Sequence, residues 1–570
     1  MSHFLRHGAR AEPWLYGLVV AVGAVFVLMA SINQPYNQNE LLQIGPYGGN
    51  TIGDVTSGTR QPPVDPVLGA LVQHLLGEGQ LRQRLVPAGA ATGTLVVTAL
   101  LLRRQRTGFA GIVGLAFLAT MPLFVRYSAY TRPYALPLFL MVAFVLAASV
   151  FIGGGRRRWL AGTGLLAALL PATRVTEPTA LLVTTVAVLA WLGWRRRLPR
   201  VRAWSVAAVA LAALVLVGVP MVRNLGEEAP SLWDPRPSGL LDRAGVGLDE
   251  FVHELLPLLG RSLPLWPLLL AVVVAAFTLS GSRRLLLGWW FFWPLAAAPV
   301  GFAIAYHFIT TIDFDQLPYR ARAAYFFTVP LALVVTALAD LGFRLLRESR
   351  ETERSVPVWA PAAVAVALVT LVAGNLPAAV TAATTPDVPD YAAAARLVDD
   401  LPADALVLYD RPGTFGEGHQ GFLAPSRYLR RPDVIVATLQ LARSPRRLPD
   451  GRPLYLMVDA TNIVDASGAS VSAWERPIEG WKVVGSDDRF TVYAPTSPRE
   501  GPRAAADAML ALADALGVET GYVQVFAAAS LLRTLGVRDQ AAAVVDQLYD
   551  DAGPALAEQI RADAKERGLG

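Results

Sequence analysis

Long apolar runs separated by short polar turns fill the chain up to about residue 383 and then stop. A bilayer core takes about 20 apolar residues as helix. Runs of that kind fall at 14–31, 84–102, 109–125, 133–152, 177–194, 203–222, 263–280, 285–307, 323–343 and 357–381. A further run, 159–171, is short, but basic clusters decide how to treat it. Arg156-Arg157-Arg158 and Arg195-Arg196-Arg197 belong on one side of a membrane, so the chain between them must cross and return, turning near Pro171–Pro178. The pattern therefore predicts an α-helical polytopic membrane domain of about eleven spans over residues 1–383, with a polar loop at 32–83.

The pattern changes after residue 383. Residues 390–401 read as a helix, and Ala405–Tyr409, Val434–Ala437, Pro453–Val458 and Trp481–Tyr493 read as strands. A small α/β domain is expected over 384–496. Pro495–Pro502 is a linker by its Pro, Ser and Gly content. Residues 497–570 form a helical C-terminal segment, with apolar positions at helical spacing over Ala541–Tyr549. One or two hairpins fall short of a solenoid, so packing on the preceding domain is the simpler reading.

Charge sharpens this division. Residues 1–383 carry 31 basic and 19 acidic side chains, net +12, and residues 384–570 carry 19 and 26, net −7. The arginines of the first part cluster between apolar runs, where they orient a membrane protein rather than bind nucleic acid. Arg6 and Arg10, Arg103-Arg104 with Arg106, Arg283-Arg284 and Arg344 to Arg354 alternate to one side. That places the N-terminus in the cytoplasm and the C-terminal domain outside the cell's inner or plasma membrane. No small-x-small cleavage site follows Ile32, so the first span reads as an anchor rather than a signal peptide. Cysteine is absent, which excludes a disulfide scaffold and thiolate metal sites.

A second set of arginines falls at predicted outer ends of spans: Arg60, Arg82, Arg84, Arg126, Arg132, Arg174, Arg223, Arg320 and Arg322. The positive-inside bias makes so many there unexpected. A guanidinium stays charged and can grip a phosphate with two bonds, and lipid phosphates lie at that depth. Each alone could be a snorkelling side chain; as a set they point to a phosphate-binding cavity. The first outer loop adds three carboxylates, Glu40, Asp54 and Asp65. Glu40 leads as a general base, Asp54 and Asp65 being able to substitute, and a solvated loop acid is the alternative for each. Arg174 and Glu177 share the turn of the short hairpin, where they either face a cavity or pair with each other. His307 with Asp313 and Asp315 could bind a divalent cation, although no metal-spacing motif supports it, so no cofactor is assigned. Trp289-Trp290-Phe291-Phe292-Trp293 reads as a packing or lipid-facing surface, or as the lining of a groove for a lipid tail.

The order of motifs carries a resemblance. Asn39-Glu40, then Pro62-Pro63, then Arg84-Leu85 opening the second span, resembles the start of the polyprenyl-phosphate-sugar-dependent membrane glycosyltransferases. This is the GT-C class that includes protein mannosyltransferases and lipid A aminoarabinose transferases. Tyr127-Ser128-Ala129-Tyr130-Thr131-Arg132-Pro133-Tyr134-Ala135-Leu136 is similar to that class's aromatic and arginine turn between the third and fourth spans. Tyr319-Arg320-Ala321-Arg322-Ala323-Ala324-Tyr325 resembles its late Arg-Tyr motif, and the set covers residues 33 to 330. The resemblance implies a GT-C-like fold and an inverting sugar transfer from a polyprenyl-phosphate donor to an envelope glycan, lipid or protein at the outer face. It implies a catalytic carboxylate in the first outer loop, and Asn39 stands where relatives usually carry an acid, leaving Glu40 and Asp54 as the leading candidates. Arg60, Arg84, Arg132, Arg174, Arg320 and Arg322 are the implied donor-phosphate ligands. A transporter would show repeated halves with helices broken at mid-membrane, which the chain lacks. A non-catalytic envelope scaffold has no need of a phosphate pocket.

Overall fold

The computed structural model describes residues 2–36, 40, 43–44, 47, 51–59, 62–221, 289–309, 325–351, 359–385, 391–410, 435–437, 452–460, 476–487, 489–497, 499, 501–554, 556–558 and 560–561. The chain forms two compact units, one of residues 1–34 and 43–385 and the other of residues 35–42 and 386–570.

In the first unit, α1 (Ser2–Asn33) is followed by three short helices, α2 (Ile52–Thr59), α3 (Val64–Leu76) and α4 (Gln80–Gln83). Apolar helices then alternate with basic or aromatic turns. They are α5 (Leu85–Arg104), α6 (Phe109–Ala119), α7 (Pro122–Ser128), α8 (Ala135–Ile152), α9 (Arg157–Thr173), α10 (Thr176–Trp194) and α11 (Arg200–Ala213). α12 (Phe292–Ile309), α13 (Thr328–Glu351) and α14 (Trp359–Thr384) complete the unit. Among the described residues, five helices are long and apolar enough to cross a membrane, six if α6 and α7 count as one bent span. These fit a membrane-embedded protein.

The predicted spans differ from the helices in two instructive places. The apolar run 109–125 is not one rod: α6 and α7 meet at a bend of 57°. Pro122, at the first position of α7, has no N–H to continue the α6 ladder. The short run 159–171 is the 17-residue helix α9, whose Pro171 lies in its last turn. Run 263–280 lies outside the described residues.

Close helix contacts use missing side chains. At Gly114 on α6, a Cβ would lie 1.9 Å from Thr336 Oγ1 and 2.6 Å from the Ala332 carbonyl on α13. Glycine at that face lets two backbones approach, the usual way apolar helices gain packing where water supplies no driving force. The end of α1 is clipped to the end of α14: Gln34 Nε2 donates to the carbonyls of Ala382 at 3.0 Å and Thr385 at 2.7 Å, and Asn33 Nδ2 to Ala383 at 3.1 Å.

The second unit starts with α15 (Tyr391–Asp399) and holds a five-stranded mixed sheet, ordered β2-β1-β3-β5-β4. The strands are β1 (Leu406–Asp410), β2 (Ile435–Ala437), β3 (Leu454–Asp459), β4 (Trp481–Asp487) and β5 (Phe490–Pro495). β1 pairs in parallel with β2 and β3, and β5 is antiparallel to β3 and β4. The single strand expected at Trp481–Tyr493 is thus a hairpin: Asp487 pairs with Phe490 across a tight turn. Leu406, Leu408, Leu454, Leu456 and Val458 point to one face, as period-two alternation requires. That face packs on α16 (Gly501–Leu516), α17 (Val518–Thr534) and α18 (Arg538–Asp551), which share its core. On the other face, the Tyr391 and Phe490 rings lie 5.6 Å apart.

Candidate functional site

The proline pair has a local job. Pro63 stands at the N-cap of α3, where a fixed φ of −73° and a missing N–H cost nothing. Asp65 consequently falls in the first helical turn and is almost fully buried. Gln43 Nε2 donates to Asp65 Oδ2 and, at 2.9 Å, to the Tyr47 hydroxyl. Tyr47 in turn lies on Gly69 of α3, where a Cβ would meet its ring at 2.4 Å. Burial pushes the Asp65 carboxyl up to about 6, against the opposing pull of the Gln43 hydrogen bond and of the Arg132 charge. Desolvation therefore outweighs both opposing effects.

The charge of Arg132, on the α7–α8 turn, acts on this carboxyl. The turn is tight: the Arg132 N–H donates to the Tyr130 carbonyl at 2.8 Å and the Tyr134 N–H to the Arg132 carbonyl at 2.7 Å. Its aromatic residues pack together, Tyr127 lying 5.1 Å from Tyr130 and 5.7 Å from Tyr134 between ring centroids. Tyr325, just before α13, joins them at 6.1 Å from Tyr127, and its hydroxyl shares a 3.2 Å hydrogen bond with Ser128. Three motif segments far apart in sequence thus meet at one end of the helices: the first loop, the α7–α8 turn and the start of α13.

The α9–α10 turn joins the same place. Arg174 Nε donates to Glu177 Oε2 at 2.6 Å, and the guanidinium lies over Tyr134 at 5.2 Å and Phe326 at 5.5 Å. Arg174 and Glu177 therefore pair with each other.

Two further predicted residues, Arg84 and Asp54, have partners of their own. Arg84 is fully buried, its Nη1 donating to the carbonyls of Ser31 and Gln34 at the end of α1. That is a favourable place for a cation, at the negative end of a helix dipole. Asp54 is exposed and exchanges hydrogen bonds with Thr51, accepting from its N–H at 2.9 Å while its own N–H donates to Oγ1 at 3.1 Å. This is the reciprocal capping arrangement of a helix N-terminus. Glu40 is buried, in a stretch belonging to the second unit. Asn39, Arg60, Arg223, Arg320 and Arg322 lie outside the described residues, as do Asp313, Asp315 and the side chain of His307. Among the described residues there is no group of three His, Cys, Asp or Glu able to hold a metal ion. Sequence reasoning missed Gln43 and Tyr47, which fall in a loop with no periodic pattern to mark them.

No protein-family model matches the chain, and no curated protein matches it. Among solved structures the chain is similar to the crystal structure of ArnT from Cupriavidus metallidurans bound to undecaprenyl phosphate. The identity is 16%, the match covers 85% of this chain and 98% of that one, and the TM-score is 0.45. The apo crystal structure of the same ArnT matches at 15% identity over the same shares, with a TM-score of 0.44.

Proposed function

We propose that this chain is a membrane glycosyltransferase of the GT-C type, moving a sugar from a polyprenyl-phosphate donor to an acceptor at the outer membrane face. The observation that carries the reading is Asp65: a buried carboxyl in the first loop, raised to about 6 and within the field of Arg132. A general base works best when its pKa lies near the operating pH, and a desolvated carboxyl beside one arginine meets that condition. In this reading the acceptor hydroxyl gives its proton to the Asp65 carboxylate as its oxygen bonds to the sugar's C1. The C1–O bond to the lipid phosphate breaks on the opposite side, and the phosphate leaves with the electron pair. Arg132, with Arg60, Arg320 and Arg322 as further candidates, stabilises the negative charge of the departing phosphate. Configuration at C1 inverts because the displacement is single. Glu40 is the alternative base, and a divalent cation at His307 stays a candidate for the phosphate.

The test is sugar transfer by purified full-length protein from synthetic polyprenyl-phosphate sugars. Asp65→Asn should lower turnover about a hundredfold or more while donor retention persists, as expected on removing a positioned base. Asp54→Asn should be nearly silent, since that side chain caps α2. Loss confined to Glu40→Gln would move the base to Glu40. Absence of transfer by the unmodified protein across a broad donor panel would favour the scaffold reading, to which the Asn39 substitution lends its weight.

A further inference from the structure

Arg174 is held on three sides. Glu177 takes its Nε, and the Thr176 hydroxyl donates to that same carboxylate oxygen. Glu177 is fully buried, so removing its cationic partner would leave an uncompensated charge inside the protein. Two aromatic rings, Tyr134 and Phe326, pack on the guanidinium. The remaining edge points across to the neighbouring turn, where Nη1 donates to the Pro133 carbonyl at 3.4 Å. Arg174 thus grips the two residues that follow Arg132 in the chain. Arg132 itself sits within two consecutive three-residue hydrogen bonds, Arg132 N–H to Tyr130 and Tyr134 N–H to Arg132. A turn closed that tightly has little freedom once its next carbonyl is fixed.

We propose that Arg174, clamped by Glu177, is a positioning residue that fixes the 130–134 turn and so holds the Arg132 guanidinium towards the Asp65 carboxyl. Its value for catalysis rests on the functional reading above; the coupling itself does not. Arg103 and Arg104 on α5 and Arg157 and Arg158 on α9 lie at the far ends of their helices; the other charged groups on or beside the elements packed against α3 are Asp54 on α2, Glu78 and Arg82 at α4, Arg84 just before α5 and Arg174 just past α9. Asp54 caps α2, Arg82 donates to the Leu76 carbonyl at 2.7 Å, and Arg84 serves the end of α1. Arg132 is the charge that acts on Asp65 among the described residues. Arg174 then acts on Asp65 through the turn, not by its own charge.

The probe is the Asp65 carboxyl itself, titrated by infrared difference spectroscopy in the full-length protein, its band assigned by its loss in Asp65→Asn. Removing a nearby positive charge favours the protonated form, so Arg132→Ala should move the midpoint upward by about one pH unit. Arg174→Ala should move it in the same direction by at least half as much, and Glu177→Gln likewise. Arg174→Lys, which keeps the charge but loses the planar fork and stacking, should behave as the alanine variant does. The double variant Arg132→Ala/Arg174→Ala should shift no further than Arg132→Ala alone, since one residue acts through the other. Wild-type midpoints in Arg174→Ala and Glu177→Gln, a wild-type midpoint in Arg174→Lys, or additive shifts in the double variant would each overturn the proposal. Failure of the catalytic reading would appear separately, as absent sugar transfer with the coupling intact.

Discussion

Asp65 shows how one residue's environment outweighs its identity. Placed in the first turn of a helix and in the field of an arginine, an aspartate would ordinarily titrate low; desolvation reverses the direction. The consequence for stability follows from the sign. A carboxyl whose folded pKa is raised from 3.8 to about 6 binds more protons folded than unfolded in that window. Stability should therefore fall as pH rises from about 4 to about 6, by up to about 3 kcal/mol, and level off above. Asp65→Asn should abolish this slope and be the more stable protein above pH 6, a difference that unfolding curves at several pH values would measure. An unchanged slope would show that Asp65 is solvated. The sequence shows that Asp65 sits two residues after Pro63, but not that it is buried. Burial depends on Gln43 and Tyr47, whose positions no spacing announces. The Arg174–Glu177 pair, three residues apart across a helix start, was legible as one of two options because that spacing brings side chains together.

At the scale of elements, hydropathy marks most of the apolar helices and says little about how they touch. The 57° bend between α6 and α7 hides inside one apolar run, signalled only by Pro122. The β4–β5 hairpin lies inside one predicted strand, although Gly485-Ser486-Asp487-Asp488-Arg489 is a turn signal that splits the run in two. The α6–α13 contact is silent until the backbones are seen together at Gly114. Gly114→Ala places a methyl against the Ala332 carbonyl, which belongs to the helix backbone and cannot rotate away. It should destabilise by about 1–3 kcal/mol, the usual cost of overpacking, lowering the thermal midpoint of the purified protein. Gly162→Ala, inside α9 where a Cβ meets nothing within 4 Å, is the control and should leave the midpoint unchanged or slightly raised, since alanine favours a helix interior over glycine.

For the molecule as a whole, charge asymmetry is the strongest message the sequence carries. A net +12 up to residue 383 and −7 beyond separates an apolar part from a more polar one, and the two compact units divide near that boundary. If the basic turns face the cytoplasm, a reporter active only outside it should be active after residue 390 and silent near Arg200. The reverse at either site would put the proposed site on the wrong face. What composition does not reveal is that residues 35–42, early in the chain, belong with the second unit.

That interruption has a consequence for biosynthesis. The octapeptide containing Glu40 leaves the ribosome more than 340 residues before the rest of its unit begins. Chains are made at about 5–20 residues per second and domains fold largely as units. The segment must therefore wait tens of seconds, while the helical part assembles, before its companions exist. During that interval the clip between Gln34 and the end of α14 cannot form either, because α14 has not been made. The nascent chain thus carries Glu40 without its eventual surroundings, and the second unit closes only once its C-terminal part arrives.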